Sequence, residues 1–128
     1  MSKKKSSYEF GRFCWNELVA ADPASAQKFY GKLFGWTTEA FDGEKAYTLF
    51  KQGGQTIGGM MPCPQPGRPA QWLAYVLVED VDATAAKAKK LGGKIVVEPF
   101  DVPTVGRIAV LVDPQGAAIA VLKPAVER

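Results

Sequence analysis

Asp80-Val81-Asp82-Ala83-Thr84-Ala85-Ala86-Lys87-Ala88-Lys89-Lys90-Leu91-Gly92-Gly93 has an earlier counterpart in Asp22-Pro23-Ala24-Ser25 running to Leu33-Phe34-Gly35. In each, an apolar strand-like run ends at an aspartate, a helical segment follows, and a leucine and a glycine close it. Asp22 to Asp80, Leu33 to Leu91 and Gly35 to Gly93 are all separated by 58 positions. Three marks at one offset point to a duplicated unit.

The flanks repeat as well. Phe10 to Ala20 alternates as a strand, with Phe13, Trp15, Glu17 and Val19 on one face and Cys14, Asn16, Leu18 and Ala20 on the other. Asp22 is read as a helix cap with Pro23 in the first turn, and Ala26, Phe29, Tyr30 and Leu33 as the buried stripe. Gly35 stops the helix. Strands are expected at 36–41, 46–51 and 56–61, with Asp42-Gly43 as a hairpin turn. Pro62, Pro64, Pro66 and Pro69 mark a stiff connector. The second copy restarts with a strand at 71–78, Trp72 on one face and Leu73 and Tyr75 on the other. A helix capped by Asp80 or Asp82 follows, then strands at 94–98, 107–112 and 117–123, with a loop over 100–105. The expected fold class is α+β: two tandem βαβββ modules forming a cupped mixed sheet. The boundaries are a disordered basic tail over 1–9 and one domain over 10–124, with module one at 10–61, a linker at 62–70 and module two at 71–124. Bulky residues on the sheet face away from the helices (Trp15, Val19, Met60, Trp72 or Tyr75) suggest a shared hollow between the sheets.

Composition narrows the chemistry. The chain has 128 residues, 47% hydrophobic and 23% charged, in the globular range. The net charge of +3 owes much to Lys3-Lys4-Lys5, so no nucleic-acid partner is expected. No apolar run approaches the roughly 20 residues of a membrane span, and no secretory signal is read, so no membrane partner and a cytoplasmic location are expected. The chain has no histidine, which removes Ser-His-Asp and Cys-His chemistry and the commonest metal ligand. Cys14 and Cys63 match no metal or disulfide spacing; Cys14 reads as an apolar filler within its strand.

Phe13 to Trp36 (FCWNELVAADPASAQKFYGKLFGW), Tyr75 to Gly93 (YVLVEDVDATAAKAKKLGG) and Gly106 to Pro124 (GRIAVLVDPQGAAIAVLKP) resemble the vicinal-oxygen-chelate superfamily, the group of glyoxalase, bleomycin resistance and dioxygenase-like proteins. The resemblance runs over nearly the whole chain and implies the same paired βαβββ fold. Metal-dependent members place ligands, usually His and Glu, in the first and last strand of each module. Carried over, those positions are Trp15, Leu73, Gly58 and Ala120. None coordinates a divalent ion through its side chain, so the resemblance implies no metal and no cofactor here.

Glu17 is the candidate general base or cation-binding carboxylate, against a plain ion pair with Arg12 or Arg107. Tyr47, Met60, Trp72 and Tyr75 are candidate pocket linings, and Trp15 a stacking surface for an aromatic or cationic ligand. Arg107 is a candidate anion holder. Gly58 and Ala120 complete the ligand-binding set. Three readings follow: a metal-independent protein binding or sequestering a small molecule, a glyoxalase-like isomerase or lyase with Glu17 as base, and a dimeric structural module. A homodimer is expected, because superfamily members commonly form one.

Overall fold

The computed structural model describes residues 9–41, 47–63, 69–103 and 105–125. The Asp42-Gly43 turn, the basic tail and the centre of the proline connector lie outside these residues. Element order follows the repeat: β1 Phe13–Ala20, α1 Pro23–Phe34, β2 Thr37–Ala40, β3 Thr48–Gln52 and β4 Gln55–Pro62. The second copy supplies β5 Gln71–Leu77, α2 Val81–Lys90, β6 Lys94–Val102, β7 Gly106–Val112 and β8 Ala118–Pro124. This is the expected α+β arrangement of two βαβββ modules.

The chain divides into two compact units, Trp15–Leu73 and Met1–Cys14 with Ala74–Arg128. The division differs from the module boundaries read in the sequence. The backbone supplies the reason for the N-terminal part: Gly11 N–H donates to the Leu77 carbonyl at 2.7 Å, and Leu77 N–H to the Arg12 carbonyl at 2.9 Å.

In the unit Trp15–Leu73 the strands run in the order β2-β3-β4-β1. β2/β3 and β3/β4 are antiparallel, and β4/β1 parallel. α1 begins at Asp22, whose carboxylate accepts the Ser25 amide and hydroxyl, and ends at Gly35 in the left-handed region at φ 79°. Leu18, Ala20, Phe50 and Met60 form the core, with Ala26, Tyr30 and Trp36 packed on it. The expected α1 stripe is only half realised. Ala26 and Tyr30 meet the core, whereas Phe29 and Leu33 are 58% and 56% exposed. The Tyr30 ring is what reaches inward: it contacts Trp36, Phe50 and Trp72 at centroid distances of 5.7, 6.1 and 5.5 Å.

In the other unit the order is β5-β8-β7-β6, with β5/β8 parallel and the remaining pairs antiparallel. Asp80, rather than Asp82, caps α2, accepting the Ala83 amide at 2.9 Å. Val81 of α2 packs on Ala109, Leu111 and Val121. β6 extends through the expected 100–105 loop as far as Val102. It is an edge strand with register shifts between Ile95 and Phe100, which is where a proline, Pro99, is tolerated. Cys14 is exposed and is not the apolar filler expected.

Phe50 is 1% exposed at the centre of its core, so Phe50→Ala should cost about 3–5 kcal/mol in chemical denaturation. Backbone amides of Ala117 and Gln115 donating to Asp113 hold its carboxyl below the usual range, and the Arg107 hydrogen bond does the same for Asp82. Both pKa values are depressed in the folded state. Their contribution is therefore present above the ordinary carboxylate value of about 4 and is lost as pH falls through the lower folded values. Melting temperature should fall on acidification, and Asp113→Asn should flatten that acid dependence.

Candidate functional site

β1 carries two sets of side chains. Leu18 and Ala20 enter the core under α1, and alternation turns Trp15 and Glu17 to the opposite face. Glu17 is 6% exposed and is the buried charged side chain among the described residues. It accepts a hydrogen bond from the Tyr47 hydroxyl, Oη to Oε1, at 2.8 Å. Trp15 Nε1–H in turn donates to Tyr47 Oη at 3.0 Å. The three residues form a chain, Trp15 to Tyr47 to Glu17, on one face of β1. Burial first, and then the negative charge of Glu17, push the Tyr47 phenol far above its ordinary pKa; the Trp15 donor acts weakly in the other direction. Tyr47 therefore keeps its proton.

β4 makes room for this chain. Glu17 is paired with Gly59 across the parallel β1/β4 ladder. A Cβ on Gly59 would overlap Tyr47, reaching Cε2 at 2.6 Å and the hydroxyl closer still. The phenol thus lies across bare backbone. Gly59 was not among the residues singled out from the sequence; the signal available was the Gly58-Gly59 pair, one member of which had to face Glu17.

Several expectations are corrected. Gly58 faces away from this site, one residue out of phase with Gly59, and a Cβ there would meet the Asn16 carbonyl at 2.8 Å. Met60 is paired with Leu18 and sits fully buried in the core under α1. Trp72 belongs to that same side. Its Nε1–H donates to Tyr30 Oη at 3.2 Å, and its ring packs against Trp36 and Phe50. Arg107 is already engaged. Its Nε and Nη2 donate to the two Asp82 oxygens at 2.8 and 3.0 Å, and Nη1 lies 3.2 Å from Asp101. That clamp ties α2 to β6 and β7, so its guanidinium is committed to structure. Arg12 pairs with Glu9. Tyr75 and Ala120 are cross-strand partners in the other unit, both buried, and Leu73 is buried as well.

Among the described residues no group of three or more His, Cys, Asp or Glu side chains gathers to hold a metal ion. No described helix is long and apolar enough to cross a membrane.

Comparison with known proteins gives a consistent frame. The model of the Glyoxalase/Bleomycin resistance protein/Dioxygenase superfamily matches residues 12–121. CFP32 of Mycobacterium tuberculosis, provisionally named a glyoxylase, is 45% identical over 94% of this chain and 47% of its own length. The anthracycline biosynthesis protein DnrV of Streptomyces peucetius is 33% identical over 91% of this chain and 48% of its own. The chain thus spans about half the length of the curated relatives it matches. Among solved structures, the Mn(II)-bound glyoxalase of Novosphingobium aromaticivorans aligns with a TM-score of 0.60 at 17% identity, over 93% of this chain and 42% of that one.

A metal of the kind that glyoxalase carries does not fit the residues here. The strand positions that resemble the ligand positions of metal-dependent members hold Trp15, Leu73, Gly58 and Ala120. Glu17 is a single carboxylate, tied to a phenol that retains its proton. An octahedral or tetrahedral ion needs several such donors.

Tyr47 should be absent from the ordinary tyrosine titration. Of four tyrosines, its phenolate absorbance should not develop around pH 10. Tyr47→Phe should leave the amplitude of that ultraviolet step unchanged, whereas a reduced step would show Tyr47 ionising normally.

Proposed function

This chain belongs to the glyoxalase/bleomycin resistance protein/dioxygenase superfamily, and on that premise we propose that it binds a small aromatic or cationic molecule without a metal. The observation that carries the reading is the buried Glu17 hydrogen-bonded by Tyr47, whose hydroxyl in turn accepts from Trp15. Trp15 and Tyr47 are only part-buried, and their rings are flat surfaces on which a planar ligand stacks. A positive charge on that ligand gains twice. It meets the electron-rich ring faces, and it feels the carboxylate lying beneath them, where little water screens the field. Sequestration needs no more than this. The reading concerns the stretch in hand; relatives twice its length have room for further chemistry.

A second reading, a glyoxalase-like isomerase or lyase with Glu17 as general base, draws on one specific observation. Tyr47 donates to Oε1, a hydrogen bond that favours the carboxylate, the form a base requires. CFP32, named provisionally as a glyoxylase, is consistent with it.

Thermal-shift screening of aromatic ammonium compounds tests the first reading, since a ligand that binds the folded state raises its melting temperature by mass action. Glu17→Gln should weaken such binding by about tenfold, the scale of a lost charge-assisted contact. If Glu17→Gln binds equally well, the carboxylate is structural. If it abolishes a turnover while binding persists, the enzyme reading takes precedence.

A further inference from the structure

Gly59 and Tyr47 fit each other in a way that neither the fold nor the ladder requires. A Cβ at position 59 collides with the hydroxyl end of Tyr47, and the three atoms nearest to it all belong to that ring. The ring therefore occupies the space a side chain of β4 would fill, directly over the partner of Glu17.

The hydrogen bonds have one allowed direction. An indole N–H only donates, so Tyr47 Oη must accept from Trp15. The phenol has one proton left and spends it on Glu17 Oε1. Glu17 is thereby held as an acceptor at that oxygen, and the donor stabilises its charged form against burial. Without the phenol, Glu17 loses that donor to its charged form, and the pull on a cation weakens.

We propose that Gly59 and Tyr47 are the specificity-determining pair of this site: the bare backbone at 59 seats the phenol, the phenol commits its proton to Glu17, and the site selects a positively charged ligand over a neutral one of the same shape. The ligand class is then an aromatic or planar organic ammonium. This rests on the binding reading above. Tyr47 acts through Glu17 and is a positioning residue.

The test uses three molecules built on one ring, benzylammonium, benzyl alcohol and benzoate, with affinities measured by calorimetry or chemical-shift titration. The parent protein should prefer benzylammonium to benzyl alcohol by about tenfold and leave benzoate unbound. In Tyr47→Phe that preference should shrink, benzylammonium losing more affinity than benzyl alcohol; general damage would weaken both alike. A preference unchanged in Tyr47→Phe overturns the proposal. If the parent binds neither benzylammonium nor benzyl alcohol, the binding reading itself fails. The seat is then judged separately by chemical denaturation. Gly59→Ala should destabilise the parent clearly and should cost markedly less in a Tyr47→Ala background, a coupling between the two positions. An equal cost in both backgrounds overturns the assignment of Gly59.

Discussion

A carboxylate taken out of water must be supplied with donors or it destabilises the fold that buries it. Glu17 is that carboxylate here, and much of the surrounding structure follows from satisfying it. The donor is Tyr47, placed at the entry to β3. Reaching Glu17 from there means crossing β4, so β4 carries a glycine at the crossing. The phenol needs its own lone pair occupied, and Trp15, two residues before Glu17 on the same face of β1, supplies the indole N–H. One buried charge thereby fixes the identity of residues on three strands.

On the proposed reading, the same constraint would separate this chain from metal-dependent members of the superfamily. A metal ion would supply positive charge to a carboxylate at such a place and demand further ligands around it. Here a phenol that holds its proton donates to that carboxylate. Trp15 fills with an aromatic ring a position that resembles a ligand position in those relatives. The superfamily fold is retained, and the chemistry that fold hosts is set by side chains on it.

The fold was legible because the repeat is written in residues with strong local meaning. Asp22 and Asp80 cap helices, Gly35 turns the chain after α1, and alternation along β1 separates Glu17 from Leu18. The site was legible in part. Trp15, Glu17 and Tyr47 were all singled out, but their hydrogen bonds were not, since a pairing across 30 residues leaves no local mark. Met60 was assigned to the wrong face, and Trp72 offered for it as the alternative to Tyr75, because an apolar residue on a strand suits either face, and only the register with Leu18 and the packing on Tyr30 decide. Gly58 was carried over from the family's ligand spacing, and a one-residue offset on a strand is enough to turn a position to the other face. Arg107 looked available because Asp82 and Asp101 are 25 and 6 residues away in the chain.

The central claim is that a hydrogen-bonded Trp15–Tyr47–Glu17 chain, rather than a metal, organises this face of the sheet. Adding Mn(II) to isotope-labelled protein tests it directly, because a bound paramagnetic ion broadens the resonances nearest to it. The account predicts that the Trp15 indole N–H signal, assigned by a Trp15→Phe variant, stays as sharp as the other tryptophan signals through several equivalents of Mn(II). Selective loss of that signal at substoichiometric Mn(II), reversed by chelator, would contradict it.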